Sequence, residues 1–180
     1  YQTMVTDLTS MDLANASLLD EGTAASEAMT MFFRVRKGPK KSSSKFFVSN
    51  KTYPQTVELL KTRSVPLGIE LVIDDVSKFD YSDDFFGALI QYPDSNGNLE
   101  CPSSIIEKCN EKNIFTCVCS DLMSLVLFKP PGEFGASAVV GNSQRFGVPM
   151  GFGGPHAAFF ATKEEFKRHI PGRIIGVSID

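Results

Sequence analysis

The chain has 180 residues, a formal net charge of -3 and 42% hydrophobic residues, enough for one globular domain with a substantial core. A charge balance so near neutral leaves no electrostatic footprint for nucleic acid or an anionic membrane, and no apolar run reaches the roughly 20 residues that a spanning helix needs. Cys101, Cys109, Cys117 and Cys119, with two histidines in the whole chain, lack metal-site spacing and demand no disulfide framework, so they read as buried or inert thiols.

In chain order, Tyr1 to Leu13 sets Met4, Val5, Leu8 and Met11 at helical spacing, a candidate for a partner-facing apolar surface. Ala16 to Leu19 is a short apolar run ending in Asp20-Glu21-Gly22. Thr23 is placed to cap a helix running to about Arg36, with Ser26-Glu27 close to capping-box spacing. Lys37 to Lys45 reads as a solvated basic loop. Strands and helices then alternate. The strand-like runs are Phe46–Ser49, Ile69–Ile73, Ala88–Tyr92, Ile114–Cys119, Ala138–Val140 and Ala157–Ala161. Helices are expected from Pro54 to about Arg63, from Pro102, over Asp121–Leu127 and over Glu164–His169. Phe79 to Phe86 reads as a connection, and Pro93 to Gly97 as a turn. The chain opens on Tyr1 rather than Met and closes on Asp180 after the strand-like Ile174–Val177, so residues 1–180 read as part of one domain cut at both ends.

Strands separated by helices of about ten residues mean crossover units and a three-layer α/β fold with a mainly parallel sheet. Ligands in such sheets sit beyond the carboxyl ends of the strands, which draws attention to three stretches. Leu18 to Ser26 is a strand, a glycine turn and a helix start of small residues. It reads either as a phosphate cradle around Gly22 and Thr23 or as an ordinary helix start. Asp20 and Glu21 favour the second reading, because they already supply the negative charge a helix amino end attracts. Asp121, just past Ile114–Cys119, is either a plain post-strand Asp or a partner for a pyridine nitrogen. Gly141 to His156 holds five glycines and two prolines in sixteen residues, a rigid loop that lets backbone approach a ligand or a partner chain. Within it Arg145 reads either as an anion binder or, as a lone Arg more often is, as a surface or interface residue, and His156 as a turn or core histidine. Nucleophile-elbow, zinc-protease and P-loop motifs are absent from the sequence, as is a Gly-rich dinucleotide fingerprint, which argues against a nucleotide-binding domain.

Several long stretches resemble one family. Tyr1-Gln2-Thr3-Met4-Val5, Ala14-Asn15-Ala16-Ser17, Asp20 to Ala28, Gln91-Tyr92-Pro93-Asp94, Lys129 to Gly135, Ser143 to Pro149 and Gly151 to Ala161 are similar to the amino-terminal half of glycine dehydrogenase (decarboxylating), the P-protein of the glycine cleavage system. The poorest match is Lys37 to Ser82. The resemblance implies a type I pyridoxal-phosphate transferase-like large domain with a mostly parallel seven-stranded sheet. It implies decarboxylation of glycine and transfer of the aminomethyl group to the lipoyl arm of the H-protein. It further implies two homologous halves, fused or separate, of which the carboxyl-terminal one bears the Schiff-base lysine. Counting back from Pro149, that lysine's position is held here by Gln144, which forms no imine. Asp121 matches the family's pyridine-binding Asp, with a shorter segment to Gly132 than in the active half. Catalytic residues are therefore not expected in this half. Its cofactor-binding residues Gly22, Thr23 and Asp121 are expected to be vestigial, with pyridoxal 5'-phosphate held by the other half. For a eukaryotic source the resemblance implies a mitochondrial location, with any targeting segment outside this stretch. The alternative is a free-standing, non-catalytic binding or regulatory module of the same fold.

Overall fold

Alternation of buried side chains organises the molecule, whose computed structural model describes residues 1–176. Four α-helices, α1 (Gln2–Thr9), α2 (Glu21–Val35), α3 (Pro54–Ser64) and α4 (Ser103–Glu111), flank seven strands: β1 (Leu13–Ala14), β2 (Lys45–Ser49), β3 (Glu70–Asp74), β4 (Phe85–Tyr92), β5 (Phe115–Ser120), β6 (Ala138–Asn142) and β7 (Ala158–Thr162). The strands form one sheet in the order β1-β7-β6-β5-β4-β2-β3. All neighbours pair in parallel except β7, which runs against both β6 and β1. This is the mixed, mostly parallel α/β architecture expected.

Successive strand residues point to opposite faces, and both faces are covered. Cys117, Cys119, Ala138, Val140, Ala158 and Phe160 pack under α2 with Ala28, Met29 and Phe32. Val118, Val139, Phe159 and Ala161 pack on the other face with Val5 of α1 and Ile106 of α4. Near-continuous burial of β4 and β5 is what a sheet covered on both sides requires. Phe32 is fully buried and stacks on Phe115, ring centroids 5.1 Å apart.

Several expectations are corrected. The apolar stripe of α1 is not a free surface: Val5 is buried, and Leu8 packs beside it against the core under α4. The first strand is Leu13–Ala14, while within Ala16 to Leu19 only an isolated bridge from Leu18 to Ala158 forms. Asp20, not Thr23, caps α2: its Oδ1 accepts from the Thr23 N–H at 2.7 Å. The basic loop is not wholly solvated, since Lys40 is 3% exposed and its Nζ lies 3.1 Å from the Asp83 carboxylate. Phe85 and Phe86 belong to β4 rather than to a connection. The stretches after β5 and β7 form single 3-10 turns, Ser124–Val126 and Glu164–Phe166, not α-helices. Residues 174–176 are not strand, and Val177 lies outside the described residues.

Candidate functional site

The crossover rule places a site where the carboxyl ends of β4, β5 and β6 meet the amino end of α2. A cavity of about 570 Å³ opens there, lined by Glu21, Tyr53, Ser120, Asp121, Asn142, Gln144, Arg145 and the loop beyond it. A smaller cavity of about 250 Å³ adjoins it, shared by Asp20, Glu21, Gly22, Tyr53, Thr56 and His156. Asp121 and Gln144 are thus brought together, and Gly22 lies next door. Thr23 lines neither cavity and is engaged as the backbone donor to Asp20.

Asp121, Asn142, Gln144 and His156 all have protein partners at this end of the sheet. The Asp121 carboxylate takes the Arg145 guanidinium, Oδ2 to Nη1 3.0 Å, and its Oδ1 accepts from the Met123 N–H at 3.0 Å. Gln144 donates from Nε2 to the carbonyls of Pro155 (2.7 Å) and Gly153 (3.2 Å), and its Oε1 accepts from Asn142 Nδ2 at 2.7 Å. Asn142 Oδ1 in turn accepts from the backbone N–H groups of Gln144 and Ala157. His156, exposed rather than core, meets Asn142 Nδ2 with its Nδ1 at 2.9 Å.

Glu21 is electrostatically the most perturbed group of the site. Burial pushes its carboxyl up to about 7, opposed by neighbouring Thr56 and reinforced by the negative charge of Asp121. Thr56 Oγ1 and Gln91 Oε1, both buried beside it, have no hydrogen-bond partner of regular geometry. Burial, then Glu21 and Asp121, likewise raise the Tyr53 phenol. Of the four thiols, Cys101 is exposed rather than buried, while burial lifts Cys109 to about 12 and a hydrogen bond with Cys117 and burial raise Cys119, which makes these two poorly reactive.

The first turn of α2 is closed by the Asp20 carboxylate, and a Cβ added to Gly22 would stand 3.2 Å from Leu59 Cδ2 of α3. Gly22 thus sits where α2 approaches α3 closely. Sequence reasoning singled out Asp121, Arg145 and Gln144, but not that the first two pair across the loop. Tyr53 was missed altogether, because nothing but its place before Pro54 marks it.

The family model for the glycine cleavage system P-protein matches residues 1–180. The chain belongs to the glycine cleavage system P-protein family. It is 53% identical over 182 residues to the glycine dehydrogenase (decarboxylating) of Christiangramia forsetii, with all of the chain and 19% of that relative covered. It is 55% identical over 180 residues to that of Photobacterium profundum, covering all of the chain and 18% of the relative. The chain thus spans about a fifth of the length of the curated relatives it matches. A crystal structure of a glycine decarboxylase P-protein in inhibitor-bound form superposes with a TM-score of 0.87 at 31% identity, covering 100% of this chain and 41% of that one. A cystathionine γ-lyase from Micromonospora echinospora shares the fold alone, at 13% identity and a TM-score of 0.73 over 93% of this chain and 43% of that one. The mitochondrial location is corrected: the P-protein relatives at 51–55% identity are bacterial. Among the described residues no helix is long and apolar enough to cross a membrane.

Proposed function

We propose that the chain is a segment of a glycine dehydrogenase (aminomethyl-transferring), from the half that does not carry the cofactor covalently. In the whole enzyme glycine is decarboxylated and its aminomethyl group passes to the lipoyl arm of the H-protein. Pyridoxal 5'-phosphate supplies the electron sink for that chemistry, and the residues at this site do not fit it. The single observation that carries the reading is the double substitution of partners. Gln144 stands at the lysine position with both amide ends committed to the protein, and Arg145 takes the Asp121 carboxylate that a pyridinium would need. An amide nitrogen is delocalised and forms no imine. The two acids at the start of α2 add a further obstacle to phosphate, with Asp20 occupying the capping position.

This half then acts by packing against the lysine-bearing half. Among its exposed apolar side chains, Val126 and Leu127 follow β5 and Met150 and Phe152 follow β6, while Leu19, Val65 and Ile175 lie elsewhere. The test is the absorbance and stoichiometry of the bound cofactor in the full-length protein. The variant Gln144→Ala should keep the cofactor's absorbance band and the bound stoichiometry, whereas replacing the lysine of the other half should abolish both. Loss of the band on Gln144→Ala alone, with that lysine intact, would overturn the reading.

A further inference from the structure

We infer that Gln144 is the staple of a presentation loop, and that the loop's Phe152 seats in an apolar pocket of the lysine-bearing half. This rests on the packing role proposed above.

Two observations converge. The Gln144 amide reaches across nine and eleven residues to the carbonyls of Gly153 and Pro155, while Asn142 holds its oxygen. One side chain thereby closes the whole loop from residue 144 to residue 155. At the tip of that closed loop Phe152 sits in the left-handed region, φ 51° and ψ 33°, and is as exposed as an extended chain allows, at 116%. A non-glycine residue in that region, carrying a bare phenyl ring into water, is the pattern expected where strain and exposure are kept for a contact. Gly151 and Gly153 on either side leave open space, with nothing within 4 Å of an added Cβ. Their lack of side chains clears room for a partner surface around the ring.

The occupant follows from chemistry and from length. Residues 146–154, the part of the loop beyond Arg145, contain no charged side chain, so the tip around Phe152 suits an apolar protein pocket. The bacterial relatives are about five times the length of this chain, which leaves the lysine-bearing half as a partner outside it. The ion pair from Asp121 to Arg145 ties this loop to the segment carrying Val126 and Leu127, so the two apolar segments are held as one surface.

The experiment uses the full-length protein with Phe152 replaced by the photo-cross-linking p-benzoylphenylalanine. After irradiation and borohydride reduction, one digest is mapped for both the cross-link and the reduced cofactor lysine. The expected cross-link joins position 152 to a peptide of the lysine-bearing half. In the same protein Gln144→Glu, which keeps an acceptor but removes both donors, should cut the cross-link yield at least fivefold with an unchanged far-ultraviolet spectrum. A cross-link confined to this chain or to a second copy of it, or none at all, overturns the seating of Phe152. A yield unmoved by Gln144→Glu overturns the staple. If either happens while the reduced lysine still maps to the other half, the vestigial-site reading survives. A reduced lysine within residues 1–180 removes that reading as well.

Discussion

Replacing Glu21 by Gln should stabilise the fold in a pH-dependent way. Burial carries this carboxyl from 4.5 to about 7, so the folded chain holds a proton that the unfolded chain has released. Stability is then greatest below pH 4.5, falls as pH rises through the interval to about 7, and stays lower above it. At about 1.4 kcal/mol per pH unit the full difference is about 3 kcal/mol, an upper figure because Glu21 keeps some contact with the two cavities. Glutamine has nearly the shape of the neutral acid and keeps both an acceptor and a donor beside Gln91 and Thr56. Glu21→Gln should therefore change little at pH 4.5 and add up to about 3 kcal/mol at pH 8. Urea unfolding of the two proteins at dilute concentration, followed by far-ultraviolet circular dichroism at both pH values, measures the difference. A variant no more stable than the parent at pH 8, or a parent whose stability rises between pH 5 and pH 7.5 on account of this residue, would refute the reasoning.

Gly141→Ala should destabilise by about 1–3 kcal/mol or more, because an added Cβ would run into the Ser120 carbonyl of β5 and stand 2.8 Å from the Phe159 ring; denaturant midpoints check it. Asp121→Asn should cost less than about 1 kcal/mol, since the side chains of its ion pair with Arg145 are 31% and 61% exposed; a loss several times larger in the same assay would mean that the pair is structural.

Periodicity made most of this fold legible. The strands β4, β5, β6 and β7 stand out as apolar runs between glycine and proline punctuation, and α2 as a helix of small and apolar residues. What stayed hidden depends on contacts distant in the chain. The two residues of β1 are too few to carry a period, and they are a strand only because Thr162 and Ala161 of β7 lie beside them. Reversal of β7 leaves no mark in its composition, which is as apolar as that of the parallel strands of the sheet. Lys40 looks solvated in a run of lysines and serines, yet it is buried with its ammonium 3.1 Å from Asp83, forty-three residues away. At the site, the family resemblance reads the amide at position 144 as standing in a lysine's place. That the same amide would bind the far end of its own loop is not readable, since any residue with a donor and an acceptor would read alike. The capping of α2 by Asp20 was legible in principle, with an Asp three residues before Thr23, but the small residues beyond it drew the helix start too far along.

The most direct test of the account is borohydride reduction of the full-length protein with pyridoxal 5'-phosphate bound, followed by peptide mapping. Stoichiometric reduction should fall on one lysine outside residues 1–180, with at most scattered, substoichiometric labelling of exposed lysines such as Lys41. Stoichiometric labelling of Lys163, or of any lysine in this chain, would contradict it.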